Sequence, residues 1–271
     1  MEPRLQRRVQ RYGWDLAAAD YEALWQAQLA TAQAELLARV APTRGEQVLD
    51  VACGTGLVSL AAARAVGPGG QVVGVDLSGQ MVSAAAGRAQ EQGQLNTRFA
   101  RMDAEQLELP AASFDAALCS LGLMYLPDPM QALDEMRRVL RPGGRLGLAV
   151  WGERSCCGWA AVFPIVDAEV QSEVCPLFFA LGQGDALARL CARAGFGVVP
   201  LRRLSATLVY VDGDEACNAA FVGGPGALAW QRFDVPTRAR VRARYLDAIA
   251  PWRHGRGYRV PGEFVIVTAV A

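Results

Sequence analysis

The sequence predicts an α/β fold built on a mostly parallel sheet with helices on both faces. Short apolar runs rich in valine alternate with segments of helical spacing, and turns rich in glycine or proline separate them. The runs are apolar almost throughout, which is typical of parallel strands that are covered on both sides. With 271 residues, of which 52% are hydrophobic, the chain can enclose a large core.

The predicted elements follow one another in a regular order along the chain. Apolar side chains at helical spacing predict an N-terminal helix over residues 15–40, and Pro42 and Gly45 end it. Five strands are then predicted at 47–52, 71–75, 97–101, 114–119 and 145–151. Helices are predicted between them at 57–65, 80–92 and 130–140. A further helix at 185–194 and two more strands at 198–211 and 262–270 bring the sheet to seven strands.

Composition and charge exclude several classes of function. Basic and acidic residues balance at 27 each, which argues against nucleic acid as a partner, and the absence of lysine excludes a lysine nucleophile. Seven cysteines without regular spacing and the single His254 favour neither a disulfide framework nor a metal site. We find no signal-peptide pattern and no run of about 18 apolar residues, so we expect a cytoplasmic bacterial protein without a membrane span.

The strongest motif lies between the first strand and the helix that follows it. Asp50 belongs to the end of the strand, and small residues up to Gly56 let the backbone approach a ligand closely. Asp76 ends the second strand, where a carboxylate can accept two hydrogen bonds from ribose hydroxyls. A glycine-rich turn alone is shared with NAD enzymes. However, the Asp50 carboxylate would repel a pyrophosphate, and it favours the cationic end and the sulfonium of S-adenosylmethionine (SAM).

Five segments together resemble the class I SAM-dependent methyltransferases, in particular the quinone-biosynthesis and natural-product enzymes of methyltransferase type 11. In order, they are residues 50–56, 75–78 with Met81, 101–105, 113–120 and 137–144. Ala52 stands where the family often has glycine, and only a small side chain is needed there. The resemblance covers the region 45–151 and implies a Rossmann-like, seven-stranded, mostly parallel sheet with an N-terminal helical lid and helical insertions.

The resemblance also implies which residues contact the cofactor. They are Asp50, Ala52, Cys53, Gly54, Gly56, Asp76, Leu77, Met81, Asp103, Ala104 and Ser120. Asp76 would hold the ribose hydroxyls, and Asp103 would accept a hydrogen bond from the adenine amino group. Ser120 would lie near the methionine end and the donor methyl. S-adenosyl-L-homocysteine (SAH) would be the product.

We expect one methyltransferase domain over residues 1–271. It would comprise a lid at 1–44, a SAM-binding half at 45–151 and a substrate-side half at 152–271, with insertions at 152–182 and 213–260. Tyr21 on the lid, with Trp151 and Trp159 after the fifth strand, would contact the substrate. These side chains suggest a small, partly apolar acceptor such as an aromatic quinone or a secondary metabolite. Methyl transfer would proceed by in-line displacement, in a monomer or a homodimer.

Several alternatives stay open at the level of sequence. The fold could serve a ring-forming or decarboxylating enzyme that retains SAM, a SAM binder without activity or, more distantly, an NAD oxidoreductase. Cys156 and Cys157 could indicate an arsenite or thiol methyltransferase, although free cysteines are more often buried and inert. His254 is the weak candidate for a general base, because no other side chain ordinarily titrates near neutrality. The alternative is a solvated histidine among the neighbouring arginines.

Overall fold

A computed structural model describes residues 2–170, 178–198 and 201–271. Within them the strands are β1 (Gln47–Val51), β2 (Gln71–Asp76), β3 (Thr97–Arg101), β4 (Phe114–Ser120), β5 (Leu140–Trp151), β6 (Gly197–Val198), β7 (Arg202–Tyr210), β8 (Arg253–His254) and β9 (Gly257–Val270). The α-helices are α1 (Pro3–Val40), α2 (Leu57–Val66), α3 (Gly79–Glu91), α4 (Pro129–Val139), α5 (Val162–Val170), α6 (Ala186–Arg193), α7 (Gly213–Phe221), α8 (Ala227–Arg232) and α9 (Val235–Ile249).

The strand order determines where a ligand can bind to the sheet. The order is β3-β2-β1-β4-β5-β9-β6, and β7 and β8 also pair with β9. Neighbouring strands from β3 to β5 are parallel, whereas β9 runs antiparallel to β5. From β1 the chain first adds β2 and β3 on one side of this strand. It then crosses over and adds β4 and β5 on the other side. A crevice therefore opens outside the carboxyl ends of β1 and β4, where open α/β sheets bind ligands.

The predicted α/β class is confirmed, but the described sheet has nine strands instead of seven. The segment predicted as one strand at 198–211 contributes β6 and β7, and residues 199–200 lie outside the described part. The other additional strand, β8, is two residues long and pairs with the start of β9. Gly255 makes the turn between them with a φ of +62°. Strands of two residues are too short to leave a periodic pattern in the sequence.

Strand β5 begins five residues earlier than predicted, at Leu140 instead of 145. The predicted turn at 141–144 is an irregularity within the strand, because Phe114 pairs with Leu140 whereas Ala116 pairs with Arg145. The amide of Gly143 donates to the carbonyl of Ala271 at 3.0 Å. The C-terminal residue thus holds the glycine-rich segment in the sheet, through a contact between residues far apart in the chain.

Helix α1 is one continuous helix of 38 residues, longer than the segment predicted at 15–40. It begins with Pro3, a residue that suits the first turn because its missing N–H would have no partner there. Leu36 and Val40 are fully buried between α1 and the sheet, and Trp25 belongs to the main hydrophobic core. The N-terminal half continues over the crevice. None of the described helices is both long enough and apolar enough to cross a bilayer.

Gly147 of β5 marks a close approach of α1 to the sheet. A Cβ atom on Gly147 would lie 2.9 Å from Cδ1 of Leu36 and would overlap Val40. We therefore expect Gly147→Ala to lower the free energy of unfolding by about 1–3 kcal/mol, the usual cost of overpacking a core. Gly87→Ala in α3 is the control, since a Cβ there meets nothing within 4 Å and alanine favours a helix. Urea unfolding measures both variants. Unchanged stability of Gly147→Ala would contradict this packing.

Candidate functional site

A cleft opens at the carboxyl ends of β1, β2 and β4, beneath the first half of α1. We call it the acidic cleft, because the carboxylates of Asp76 and Asp103 line it. Eight of the eleven predicted cofactor residues line this cleft: Ala52, Gly54, Asp76, Leu77, Met81, Asp103, Ala104 and Ser120. The other three, Asp50, Cys53 and Gly56, are buried in β1 and the turn that follows it.

The turn between β1 and α2 needs a left-handed backbone at several positions. Gly54 and Gly56 have φ values of +54° and +84°. A Cβ on Gly56 would also come within 3.1 Å of the Cβ of Ala85. Ala52 adopts a φ of +54° as well, a conformation that costs a non-glycine residue about 1–2 kcal/mol. The turn therefore keeps the left-handed conformation that glycine favours. It brings the start of α2 next to the cleft.

Asp76 ties the end of β2 to two neighbouring segments. Its Oδ2 accepts a hydrogen bond from the amide of Gly54 at 2.9 Å, and its Oδ1 accepts one from the amide of Ser78 at 2.8 Å. Burial raises the pKa of the Asp76 carboxyl to about 6. A carboxylate offers about four lone-pair directions. Asp76 can therefore organise the turn and still accept hydrogen bonds from a ligand in the cleft.

Asp50 is a buried carboxylate with one unsatisfied oxygen. Its Oδ2 accepts a hydrogen bond from the Ser59 hydroxyl at 2.5 Å, whereas its Oδ1 has no hydrogen-bond partner in the parts of the chain described. Burial, together with the nearby Asp76 charge, raises the pKa of the Asp50 carboxyl to about 7. A buried carboxylate oxygen without a partner is costly. A cationic ligand near the turn would remove that cost, so the buried carboxylate fits the cationic amino-acid end of SAM.

Asp103 lies at the far end of the cleft and is paired with the N-terminal helix. Its Oδ1 accepts a hydrogen bond from the Glu105 amide at 3.0 Å, and its Oδ2 lies 3.0 Å from Nε of Arg7. The Arg7 guanidinium also pairs with the Glu105 carboxylate. Arg7 therefore bridges two acidic residues of the loop after β3, and α1 closes this end of the cleft.

Helix α1 contributes Tyr21, which was predicted as a lid contact, and three lining residues that were not among the predicted site residues. Arg7, Gln10, Trp14 and Tyr21 all line the acidic cleft. Their separations of three, four and seven residues place them on one helix face, and this spacing was the signal that could have found them. The carboxylate of Asp15, on the same half of α1, accepts a hydrogen bond from the Ser78 hydroxyl at 2.6 Å. This contact attaches α1 to the start of α3.

The end of β4 is strained where it reaches the cleft. Leu121 has a φ of +62°, which is unfavourable for a branched side chain. The Oγ of Ser120 is buried and unpaired within the described residues. A Cβ on Gly122 would overlap Ala52, so β4 and the turn after β1 approach each other closely here. Backbone strain and unpaired polar groups of this kind concentrate at ligand sites.

A second, smaller cavity adjoins the acidic cleft. Its walls are Trp14, Tyr21, Trp25, Leu29, Leu121, Tyr125, Trp151, Trp159, Gly224 and Pro225, and we call it the aromatic cavity. The three predicted substrate residues, Tyr21, Trp151 and Trp159, all belong to it. The structure thus brings together side chains from α1, from β5 and from the segments that follow β5 and α7.

Two other predicted features lie apart from both cavities. His254 is exposed in β8 and lines neither of them. Cys156 is exposed, and burial raises the pKa of the Cys157 thiol to about 12, so this thiol is protonated at neutral pH. Cys175 falls outside the described residues. The described residues contain no group of three or more potential ligands that could hold a metal ion.

A doubly wound sheet with carboxylates at its ligand crevice defines a nucleoside-binding α/β domain. Residues 48–144 match a family model described as a methyltransferase domain. The chain therefore carries a methyltransferase domain over residues 48–144.

Several known methyltransferases are similar to part of this chain. Demethylmenaquinone methyltransferase of Listeria welshimeri is 38% identical over 120 residues, which are 44% of this chain and 51% of the relative. Nocamycin O-methyltransferase of Saccharothrix syringae is 44% identical over 114 residues, or 42% and 40% of the two chains. This chain therefore spans about half the length of the curated relatives it matches. The structure of the (4+2)-cyclase SpnF has the same fold, with a TM-score of 0.62 and 24% identity over 93% of this chain and 83% of that one.

Proposed function

We propose that this protein transfers the methyl group of SAM to a small, partly apolar acceptor. The observation that carries the proposal is the wall shared by the two cavities, since Trp14, Tyr21, Leu121 and Tyr125 line both. The acidic cleft suits a cationic nucleoside, and the aromatic cavity suits an apolar ring. With SAM in the first cavity and the acceptor in the second, the shared wall would bring the two reactants side by side. Both curated relatives are methyltransferases by name, one for demethylmenaquinone and one for nocamycin, which supports the proposal.

The acidic cleft fits SAM by charge and by hydrogen bonding. We place the ribose hydroxyls on Asp76, whose lone pairs are only partly used by the protein. We place the cationic methionine end beside the turn after β1, near the unsatisfied oxygen of Asp50 and the unpaired hydroxyl of Ser120. The adenine is assigned to the region lined by Leu77, Met81, Asp103 and Ala104.

The protein's part in such a reaction is alignment and exclusion of water. When bound, SAM supplies a methyl group that is already activated by a positively charged sulfur. The aromatic walls hold the acceptor in an apolar setting, and α1 covers the cleft through its contacts at Arg7 and Asp15. Burial, with the nearby Asp76 charge, raises the pKa of Tyr21. Its phenol therefore stays protonated at neutral pH. It can orient an acceptor oxygen, but it does not act as a general base.

A ring-forming enzyme is the second candidate function. It is favoured by the similarity of the fold to the cyclase SpnF over most of this chain. Such an enzyme would bind SAM without consuming it. Stoichiometric release of SAH with a methylated product therefore separates the two candidates.

Calorimetric titration with SAH and with NAD tests the cofactor assignment. We expect SAH to bind and NAD to give no heat above dilution, because the carboxylate of Asp50 beside the turn opposes a pyrophosphate. Incubation with SAM and a panel of hydroxylated aromatic compounds then tests the reaction, with SAH and methylated product measured together by mass spectrometry. Binding of NAD without binding of SAH would overturn the proposed function.

A further inference from the structure

The outer face of helix α1, opposite the face that lines the acidic cleft, carries an apolar stripe. The stripe consists of Leu5, Val9, Tyr12 and Leu16, at intervals of four, three and four residues. Leu5, Tyr12 and Leu16 are 39%, 47% and 37% exposed. A surface helix of a globular protein normally turns polar side chains toward water. Several exposed apolar side chains in one line therefore indicate a contact surface.

A row of arginines borders the apolar stripe. Arg4, Arg8 and Arg11 each come one position before a residue of the stripe, so all three lie along the same flank of it. Neither Arg4 nor Arg8 pairs with a carboxylate of the described residues. The guanidinium carbon of Arg11 lies 4.4 Å from the centroid of the Tyr12 ring. The outer face is therefore both apolar and cationic.

The arginines are placed against the dipole of their own helix. The N-terminus of a helix carries partial positive charge, so acidic side chains stabilise its first turn and cations do not. The first turn of α1 has no acidic residue, and residues 3–14 hold four arginines and no aspartate or glutamate. Among the described residues, only Arg7 of these four pairs with carboxylates. The stability of the helix does not explain the other three cations, whereas an anionic partner outside the chain would.

We propose that the outer face of the first half of α1 docks on a bilayer surface that contains anionic phospholipids. The aliphatic side chains of the stripe enter the boundary between headgroups and acyl chains, and Tyr12 lies at the level of the headgroups. The three flanking arginines reach the lipid phosphates. The helix lies on the bilayer and does not cross it, in keeping with the absence of a membrane-spanning helix among the described residues.

This inference does not rest on the proposed function. The residues that α1 contributes to the acidic cleft and to the aromatic cavity lie on its other face. The docking surface is therefore separate from both cavities, and either proposal can fail without the other.

Other occupants would use only part of the outer face. A nucleic acid would pair with the arginines and leave the apolar stripe exposed. A second copy of the chain would cover the stripe but would bring another row of arginines with the same charge. Protein partners commonly insert anchors into pockets, whereas the stripe runs along one convex helix and neither cavity opens among its residues. A fluid bilayer needs no pocket, and it supplies an apolar layer directly beneath a layer of phosphate groups.

Sedimentation of the full chain with lipid vesicles tests the docking. One set of vesicles is pure phosphatidylcholine, and the other also contains phosphatidylglycerol, which is anionic. We expect the anionic vesicles to bind the protein about 100-fold more tightly, because each of the three arginines contributes about fivefold near an anionic surface. This difference should decrease at high ionic strength, since salt screens exposed charges.

Two double variants separate the charge from the apolar stripe. Arg4→Gln with Arg8→Gln should weaken binding to the anionic vesicles by about 25-fold and leave binding to phosphatidylcholine unchanged. Leu5→Ala with Leu16→Ala should weaken binding to both kinds of vesicle by about tenfold, because less apolar surface is buried. Alanine and glutamine both favour a helix, so α1 should still form in each variant.

Each double variant has a matched control. Arg44→Gln with Arg193→Gln removes the same charge from two exposed arginines at the edge of the sheet opposite the acidic cleft, just before β1 and β6. Leu95→Ala removes a leucine that is 94% exposed in the loop before β3. Both controls should bind the vesicles like the unaltered protein.

Three outcomes would overturn the docking proposal. The first is equal binding, or no binding, of the unaltered protein to the two kinds of vesicle. The second is an equal loss of binding in the variants of α1 and in their controls. The third is a dimer, detected by sedimentation equilibrium, that dissociates in Leu5→Ala with Leu16→Ala, because the stripe would then be the contact with a second copy. A monomer in both proteins, with the expected losses of vesicle binding, supports the bilayer.

Discussion

Replacing Asp76 by alanine should lower the affinity for SAH by about 30- to 150-fold, equivalent to about 2–3 kcal/mol. We place both ribose hydroxyls on this carboxylate, so the variant loses two charge-assisted hydrogen bonds. The structure adds a second cause. Asp76 also accepts hydrogen bonds from the amides of Gly54 and Ser78, so its removal loosens the turn after β1 and the start of α3. Isothermal titration calorimetry at pH 8 measures the change.

Asp115→Ala is the control for this experiment. Asp115 lies on β4 at the opposite end of the sheet, where it accepts a hydrogen bond from the amide of Gln47 at 2.8 Å and pairs with Arg141. Its removal affects local stability and leaves the acidic cleft untouched, so its affinity for SAH should match that of the unaltered protein. Equal affinity of Asp76→Ala and the unaltered protein would place the ribose elsewhere.

Affinity for SAH should fall by about 1,000-fold as the pH is lowered from 8 to 5. In the ligand-free protein, burial raises the pKa of Asp50 to about 7 and that of Asp76 to about 6. The bound ammonium and ribose hydroxyls interact with the ionised carboxylates, so binding requires the loss of these protons. Each group then costs about tenfold in affinity for every pH unit below its pKa, which gives about 100-fold for Asp50 and about tenfold for Asp76 at pH 5.

Asp50→Asn should reduce this pH dependence to about tenfold, because only Asp76 is left to titrate. The asparagine oxygen can still accept the hydrogen bond from Ser59, which preserves the local packing. Calorimetric titrations of both proteins between pH 5 and pH 8 provide the comparison. An affinity that does not change with pH in the unaltered protein would show that neither carboxylate contacts the ligand.

The contribution of Asp50 and Asp76 to the stability of the ligand-free protein should change with pH in the opposite direction. In the unfolded chain both carboxyls titrate at about pH 3.9, well below their pKa values in the folded protein. Between pH 4 and pH 7 the folded protein therefore binds more protons than the unfolded chain. The contribution of Asp50 and Asp76 to the free energy of unfolding is greatest below pH 4 and is lost as the pH rises through 6 and 7. Chemical unfolding of Asp50→Asn against the unaltered protein isolates this contribution.

The sequence by itself determined the sheet and one side of the site. Each strand-turn-helix unit is local, so its apolar strand, its small turn residues and its terminal carboxylate are neighbours in the chain. For this reason the sequence alone assigns the motif around Asp50 and Gly54, the strand end at Asp76 and the loop at Asp103 to one cleft. Parallel strands place their carboxyl ends at the same edge of the sheet. The order of the strand-turn-helix units along the chain is therefore enough to assign these residues to one cleft.

Only the tertiary structure decided how the site is closed and what adjoins it. Arg7 reaches Asp103 across 96 positions of the sequence, a pairing that depends on the path of α1 over the sheet. The aromatic cavity likewise combines Trp25 with Trp159 and Pro225, which belong to three distant segments. Such contacts arise from the packing of separate elements around a common core, and no periodicity within one segment encodes them. The sequence therefore predicted the nucleoside cleft, whereas the packing of α1 and the segments after β5 and α7 created the aromatic cavity beside it.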